Sequence, residues 1–324
     1  MKKLIFWLLR VLTFNYYFQR KQKNRLLVLM FHQVNDKKTT FYPAMSVQAF
    51  RDLCHFIKSN YEVITFSSIA SHFSKSDRPA AIISFDDGHS DIMENALPIL
   101  SSLEMPFNVN IDTEILETGK PQDFVRVYDI LNNSTMESYL NEQYMTHPIA
   151  IDRANPMTAE NEFTAVLSAL TTAQKRAITE DLQRQAGVDD TVFSKMLSKE
   201  DVRELSKRNV EFGSHSHTHS ILTQIPTEQI NDELSRSKNI LEGLIARAVK
   251  ILAYPNGKYN SAIEKIAEDM GYTCLLQTDD EINSIQDTSN KVNSYKRVNQ
   301  YHQTVNEALA HTYGITRLLS KLKG

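Results

Sequence analysis

The sequence predicts an α/β protein whose strands form a parallel sheet closed as a barrel. Short apolar runs, most of them rich in β-branched and aromatic residues, alternate with segments that carry helix-start and helix-stop signals, and this alternation is typical of parallel sheets. The chain has 324 residues, of which 41% are hydrophobic, so it can bury a large core. A barrel commonly takes about 250 residues as a single domain, which leaves room for one elaboration.

Strands and helices are expected to alternate along the body of the chain. The expected strands are Leu26–Phe31, Tyr61–Thr65, Ala81–Phe85, Phe107–Ile111, Val210–Phe212, Lys250–Tyr254 and Thr273–Leu276. Three intervening helices have marked ends: a capping-box pattern at Ser198–Asp201 ahead of Val202–Arg208, Pro226–Thr227 at the start of a helix through Ile245, and Asn260–Ser261 at the start of one that stops at Gly271.

The region from about 113 to 197 interrupts this alternation. It has no strong strand and indicates helices at Ala159–Leu170 and Thr172–Ala186, with Gly187 as a stop signal. As an excursion from a barrel, it would lie over the mouth. We interpret it as a substrate-covering helical insertion, and a purely structural decoration is the alternative.

Charge is unevenly distributed along the chain. Residues 1–35 contain seven Lys or Arg and no acid, so this start carries +7 and the remainder must carry −10 to give the formal net charge of −3. An acidic body argues against nucleic acid as a general partner.

The segment 1–25 is apolar as well as basic, and residues 26–324 are assigned to the barrel. Arg10 and Asn15 interrupt its apolar run, which falls short of the roughly 20 residues of a spanning helix, and no signal-peptidase site follows it. An interfacial helix on an anionic membrane fits best, with the cytoplasmic face favoured. A signal anchor with an extracytoplasmic body, or a helix packed on the barrel, remains an alternative.

Two polar motifs together describe a one-metal hydrolytic site. Asp86 and Asp87 directly follow an expected strand, where barrel enzymes place catalytic groups, and Gly88 permits a tight exit. His215 and His219, at i and i+4, would share one face of a helical turn. One carboxylate and two histidines leave metal positions open for water and substrate, while the other carboxylate is free to act as a base. The alternative is that the Asp pair caps the helix that begins near residue 90.

Two neighbouring histidines are expected to stay outside this site. His217 lies about 200° around a helical turn from His215, because an α-helix has 3.6 residues per turn, and so it should point away in an exposed or capping role. His89 is interpreted as a solvated loop residue rather than a residue of the mouth.

These motifs resemble those of the polysaccharide deacetylases, the carbohydrate esterase family 4 group that shares the nodulation-factor deacetylase homology domain. The matching segments are Leu27–His32, Phe85–Gly88, Ala96–Leu100, Pro106–Asn108, His215–His219 and Ala253–Gly257, with a weaker match at Tyr295–Val298. They fall in two blocks, about 26–112 and 197–300. The resemblance implies a distorted (β/α) barrel with a helical insertion.

The resemblance also implies roles for the motif residues. Asp86 corresponds to the general base, and Asp87, His215 and His219 to the ligands of one divalent metal. Zinc is the expected ion, and cobalt, nickel or iron would tolerate the same ligands. Asn256 occupies the position whose backbone N–H holds the oxyanion in relatives.

Two further roles are less direct. Amide hydrolysis needs a general acid for the leaving amine; the family's late leucine-x-His motif has no clear counterpart here, and Tyr301-His302 is a poor match. His32 is preferred over His302, because some family members take the acid from an N-terminal segment of this type. The family's Arg before Pro255 is absent, so Arg297 is assigned the role of orienting Asp86, with a surface salt bridge as the alternative.

The expected activity is hydrolysis of an N-acyl group, N-acetyl above all, from an amino sugar in a bacterial surface glycan or its precursor, free or lipid-linked. O-deacetylation or deformylation of a sugar would use the same site, and the motifs do not separate these substrates. A catalytically inactive glycan-binding module is a third interpretation. It is disfavoured because Asp86, Asp87, His215 and His219 are all present.

Overall fold

The computed structural model describes residues 24–144, 163–286 and 292–315, and the statements below refer to these ranges. Residues 1–23, which carry most of the predicted interfacial segment, lie outside them. The first part of the predicted helix at Ala159–Leu170 does as well, and helical residues are seen at 163–168.

Within the described ranges, ten strands form one nearly closed sheet. They are β1 (Arg25–Phe31), β2 (Glu62–Val63), β3 (Ala80–Phe85), β4 (Phe107–Ile111), β5 (Val210–Ser214), β6 (Ile251–Ala253), β7 (Cys274–Leu276), β8 (Asn283–Ser284), β9 (Asn293–Tyr295) and β10 (Val298–Asn299). The order β10-β1-β3-β4-β5-β6-β7-β9 is parallel throughout. β2 pairs in parallel with β3, and β8 pairs antiparallel with β1. This architecture confirms the expected α/β barrel.

The two ends of this order are consecutive in the chain. β9 pairs with β7, whereas β10 pairs with β1, and only Lys296 and Arg297 separate the two strands. One segment therefore bridges the last gap of the barrel. Arg297 lies in this bridge with its side chain fully buried.

The helices surround the sheet and form the insertion. They are α1 (Val47–Asn60), α2 (Ile69–Phe73), α3 (Leu97–Ser102), α4 (Glu114–Thr118), α5 (Asp123–Asn133), α6 (Glu137–Tyr144), α7 (Thr172–Ala186), α8 (Lys199–Ser206), α9 (Thr227–Ile245), α10 (Ser261–Asp269) and α11 (Val305–Thr312). The sequence signals mark real ends: Ser198 and Asp201 form a capping box at α8, and Gly187 ends α7 in the left-handed conformation.

The helices between β4 and β5 enclose an apolar cluster of their own. Val127 and Leu131 of α5 meet Leu182 of α7 and Phe163, all of them buried. Phe41, from the loop after β1, completes the cluster and so connects the insertion to the barrel. The boundaries 113–197 themselves stay a prediction.

Alternate residues of β1 face two different parts of the core, as a strand's period of two requires. Leu27 and Leu29 belong to the large cluster that includes the helices around the sheet, such as α1 with Phe50. Leu26 and Val28 belong to a second cluster formed mainly by residues of other strands. Both faces of the strand are thus buried, which explains its continuous apolar sequence.

Candidate active site

Polar residues collect where the parallel strands end. His32 follows β1, Asp86 follows β3, Asp112 follows β4 and His215 follows β5. The carboxyl ends of neighbouring parallel strands meet at one edge of the barrel, which is where barrel enzymes place their active sites. The ladder continues into these residues, because Asp86 N donates to Phe31 O (2.9 Å) and His215 N donates to Ile111 O (2.9 Å).

The chain turns sharply after Asp86. Asp87 and Gly88 both have left-handed backbone conformations, with φ of 69° and 77°. A side chain at Gly88 would also place its Cβ 2.7 Å from Ile115 Cδ1, so this position requires glycine. Neither aspartate caps the following helical turn at Ile92–Ala96, whose N-cap residue is Asp91. The capping alternative therefore does not apply.

His215 and His219 converge through a loop, and the expected helical turn is wrong. Ser216 and His219 have positive φ angles of 65° and 56°, which a right-handed helix does not allow. Instead, the buried Glu233 of α9 accepts hydrogen bonds from the backbone N–H groups of His217 and Thr218, both at 2.8 Å. A carboxylate from another helix thus accepts hydrogen bonds from backbone N–H groups that, in a helical turn, would donate to carbonyl groups of the same turn.

One oxygen of Asp87 lies between the two histidines. Its Oδ1 is 3.4 Å from His215 Nε2 and 3.5 Å from His219 Nε2, and all three side chains are buried. His215 Nδ1 bonds to the backbone carbonyl of Ala253 at 2.8 Å, which leaves Nε2 to face Asp87.

This arrangement fits a divalent cation. The potential ligand atoms of Asp87, His215 and His219 lie within 4.8 Å of one another. Ligands at about 2.0–2.1 Å from a tetrahedral zinc ion are about 3.4 Å apart, which matches the two separations from Asp87 Oδ1. This oxygen is buried and has no hydrogen-bond donor of suitable geometry among the described residues, as expected of an oxygen that is placed to bind a cation.

Asp86 is held separately from this cluster. Its Oδ1 accepts hydrogen bonds from Arg297 and from Asn110 Nδ2, each at 2.7 Å, while its Oδ2 lies 3.9 Å from His215 Nε2. Arg297 therefore contacts Asp86 in the barrel interior. This salt bridge is buried, so the alternative of a surface salt bridge does not apply. Burial alone would raise the pKa of Asp86, but the charges of Arg297 and His215 outweigh burial and lower its pKa.

Asp87 is ionised for a similar reason. Burial would raise its pKa, but interactions with His215 and His219 hold the pKa of Asp87 well below its usual value. Its second oxygen, Oδ2, accepts a hydrogen bond from the Tyr42 hydroxyl at 2.6 Å. The Tyr42 ring stacks on Tyr128 of the insertion, with ring centroids 5.9 Å apart, so the insertion supports the residue that holds Asp87.

Three residues that hydrogen-bond near the carboxylates were not predicted from the sequence as part of the site. Tyr42 lies in an irregular loop, where no periodic pattern identified it. Gln122 donates to both the carbonyl of Asp87 (3.0 Å) and Oδ1 of Asp112 (2.6 Å), and it also lies in a loop. Asn110 had a usable signal, since it alternates with Asn108 along the otherwise apolar strand β4.

The other histidines have different surroundings. His32 lines the cavity at the mouth, as expected of a residue that acts on the substrate. His302 is not among the lining residues, and burial lowers its pKa to about 3. His217 does not join the cluster of Asp87, His215 and His219, as expected, but it is buried rather than exposed, with Nδ1 2.9 Å from Thr113 Oγ1.

His89 is buried, so its assignment to a solvated loop is wrong. The chain at the end of the insertion covers it: Ser90 N donates to Lys195 O (2.9 Å) and Leu197 N donates to Gly88 O (2.8 Å). Burial lowers the pKa of His89 to about 4.

A cavity of about 760 Å³ opens between the strand ends and the insertion. Asp86, Asp87, His215 and His219 line it from the barrel, and the described part of the insertion contributes residues 124, 128, 164, 165, 167–169 and 175. Asn256, after β6, lies in the same wall in a left-handed conformation (φ 53°), and its Nδ2 donates to Ser168 Oγ of the insertion at 2.7 Å. The next residue, Gly257, packs so closely on Thr278 that a Cβ would collide with it.

A barrel with a carboxylate pair and two histidines at its mouth has the architecture of a barrel hydrolase. The polysaccharide deacetylase family model matches residues 74–275, and the chain belongs to this family. The family and the barrel type that the sequence motifs indicated are both confirmed.

Individual relatives are more distant. YxkH of Bacillus subtilis (strain 168) is 28% identical over 83 residues, which are 26% of this chain and 30% of YxkH. The Streptococcus pyogenes deacetylase PplD, solved in complex with acetate, superposes with a TM-score of 0.60 at 15% identity and covers 90% of this chain and 99% of its own. IcaB from Ammonifex degensii gives a TM-score of 0.57 at 13% identity, with 90% and 98% covered. At these identities the two structures support the fold.

Proposed function

We propose that this protein hydrolyses an N-acyl group, N-acetyl above all, from an amino sugar of a bacterial surface glycan or its precursor, with one divalent metal ion as cofactor. The observation that carries the proposal is the convergence of His215 and His219 on one oxygen of Asp87, beside a second carboxylate, Asp86, that other residues hold. Zinc is the proposed ion, and cobalt, nickel or iron would suit the same nitrogen and oxygen ligands.

In the proposed mechanism, one atom of Asp86 accepts the proton. A divalent ion held by Asp87, His215 and His219 would polarise the acyl carbonyl and lower the pKa of water. Asp86 accepts the water proton at Oδ2, because its Oδ1 already accepts from Arg297 and Asn110. Arg297 orients this carboxylate and keeps it ionised, which a base needs.

The later steps use residues on the other walls of the cavity. The backbone N–H of Asn256 stabilises the oxyanion that develops on the acyl oxygen as water adds to the acyl carbon. His32 donates a proton to the leaving nitrogen, because an amide does not expel an amine anion. Both residues line the cavity that contains the carboxylate pair.

An inactive glycan-binding module is the competing function. Loss of the base or of a metal ligand would be typical of such a module. Here all four residues are present, and the two carboxylates have distinct partners. Deacylation of a sugar ester or removal of a formyl group stays an alternative activity at the same site.

Product analysis determines which acyl group the protein removes. Purified protein with added zinc is incubated with N-acetyl, N-formyl and O-acetyl forms of one amino sugar, each with and without a lipid carrier. We expect release of acetate and a free amine from the N-acetyl form at the highest kcat/KM. Release of formate or of acetate from the ester at a higher kcat/KM would assign the alternative activity, and no release from any substrate would favour the binding module.

The His32→Ala variant serves as the control for the leaving group. An activated aryl ester has a good leaving group that needs little protonation, so this variant should lose far more activity on the amide than on the ester, by ~10²-fold or more. Equal losses on the two substrates would show that His32 is structural.

The proposed location is a membrane surface, on the cytoplasmic side. No helix within the described residues is long and apolar enough to cross a membrane. The support comes from the basic, apolar segment 1–25, in which each basic residue near anionic lipid contributes ~1 kcal/mol to membrane binding.

We expect the full chain, and not a chain that starts at Lys23, to co-sediment with phosphatidylserine vesicles. Equal sedimentation would contradict the membrane proposal, and digestion of the body by external protease in intact cells would place it on the opposite side.

A further inference from the structure

The insertion places a buried cation in the wall of the cavity. Lys175 lies in the first turn of α7, which the capping box of Thr171 and Gln174 fixes. Its side chain lines the cavity, and the residue is only 8% exposed. Asp86 and Asp87 line the same cavity, so Lys175 of the insertion and the proposed reaction centre of the barrel share one cavity.

Lys175 has no ion-pair partner among the described residues. No carboxylate there lies within 4.0 Å of its Nζ. Asp123 interacts electrostatically with Lys175, but from beyond 4.0 Å. The Asp123 carboxylate is itself paired with Arg126 (3.0 Å) and Arg176 (3.5 Å). Burial accordingly lowers the pKa of Lys175, and Asp123 offsets this only in part.

The acids of the cavity wall have other partners. Asp86 is paired with Arg297 at 2.7 Å, Asp87 faces the two histidines, and Asp280 lies 3.3 Å from His311 Nε2. None of them compensates the Lys175 ammonium. Lys258, an exposed residue after β6, adds a second positive charge to the wall.

A cation on a largely buried side chain without an ion-pair partner is costly, and an apolar side chain would fill the same space without that cost. The cost is offset when a ligand brings an anionic oxygen into the cavity, because an ammonium and such an oxygen form a strong charge-assisted hydrogen bond. A cavity of about 760 Å³ is in the range of sites that enclose a whole small-molecule ligand, so it has room for a sugar ring with a substituent.

We propose that the substrate carries an anionic group, a phosphate or a carboxylate, on or next to the reacting amino sugar, and that Lys175 Nζ binds this group with Lys258 at the rim. The proposal rests on the proposed function, since it names the substrate class of that site. It adds a specificity residue that belongs to the insertion rather than to the barrel.

The kinetic test compares charged and neutral substrates of similar size. They are N-acetylglucosamine 1-phosphate, the N-acetylated 2-amino uronic acid, and neutral methyl N-acetylglucosaminide. We expect Lys175→Met to raise KM for the preferred anionic substrate by ~10- to 100-fold, with kcat and the neutral substrate changed by less than about threefold. Lys175→Arg should restore most of the affinity, and Arg184→Met, which removes an exposed cation of the same helix, should change nothing. The preferred anion in the wild type identifies the group as phosphate or carboxylate.

A binding experiment separates this proposal from the proposed function. Calorimetric titration of the Asp86→Asn protein with the same three sugars measures affinity without turnover. If the wild type turns over none of the three sugars, but the anionic sugar still binds the Asp86→Asn protein more tightly and Lys175→Met in that background removes the preference, the proposed function fails and the anion site stands. If anionic sugars bind no more tightly than the neutral one, or if Lys175→Met weakens all three equally, the anion site is refuted.

Discussion

Asp86→Asn is expected to lower kcat by ~10²- to 10⁴-fold on an N-acetyl substrate while the protein keeps its metal, since loss of a general base typically costs that much. The amide has the shape of the carboxylate, and its oxygen still accepts hydrogen bonds from Arg297 and Asn110. Its nitrogen replaces Oδ2 and has no basic lone pair for the water proton. Steady-state kinetics and metal analysis of the same preparation measure the two properties together.

Asp87→Asn is the matched comparison, because the two residues are adjacent, buried and acidic. Asp87 faces both histidines, so this variant should lose metal affinity first and recover part of its activity at high metal concentration. Equal metal loss in the two variants, or full turnover by Asp86→Asn, would contradict the division of roles between base and ligand.

The parts of the fold that depend on local signals were predictable. The bounds of α7 follow from a capping residue and a stop signal beside it, and the start of α9 follows from Pro226, so the sequence indicates these helix ends to the residue. The short strands β8, β9 and β10 were not predicted. They contain two or three mostly polar residues each, and they exist because distant strands supply their hydrogen-bonding partners. The closure of the barrel around Arg297 therefore has no local signature.

The same distinction applies to the site. Asp86 and Asp87 directly follow an apolar strand, so their position at the mouth could be inferred from sequence alone. The conformation around His215 could not, because Glu233 of another helix holds that loop. Likewise, the burial of His89 depends on the chain near Met196, more than 100 residues later in the sequence. Tyr42 reaches Asp87 from a loop that no periodic pattern marks.

Metal content should be lost in the His215→Ala, His219→Ala double variant, with activity lost as well. Purified wild-type protein is expected to bind about one divalent ion per chain, because Asp87, His215 and His219 together offer three ligands. In the double variant only Asp87 remains, so the ion should be lost. Chelation should abolish turnover of the wild type, and added zinc should restore it. Zinc should also raise the melting temperature of the wild type and leave that of the double variant unchanged, since a ligand stabilises only a folded state that binds it.

His217→Ala distinguishes loss of a ligand from loss of a buried histidine. His217 is as buried as its neighbours and lies in the same loop, but it contacts Thr113 and is not one of the clustered ligands. This variant should therefore keep its metal and the zinc-dependent rise in melting temperature, even if it melts at a lower temperature without metal. Stoichiometric metal in the double variant would refute the ligand assignment. Equal metal loss in His217→Ala would show that the loop as a whole, rather than the two imidazoles, determines binding.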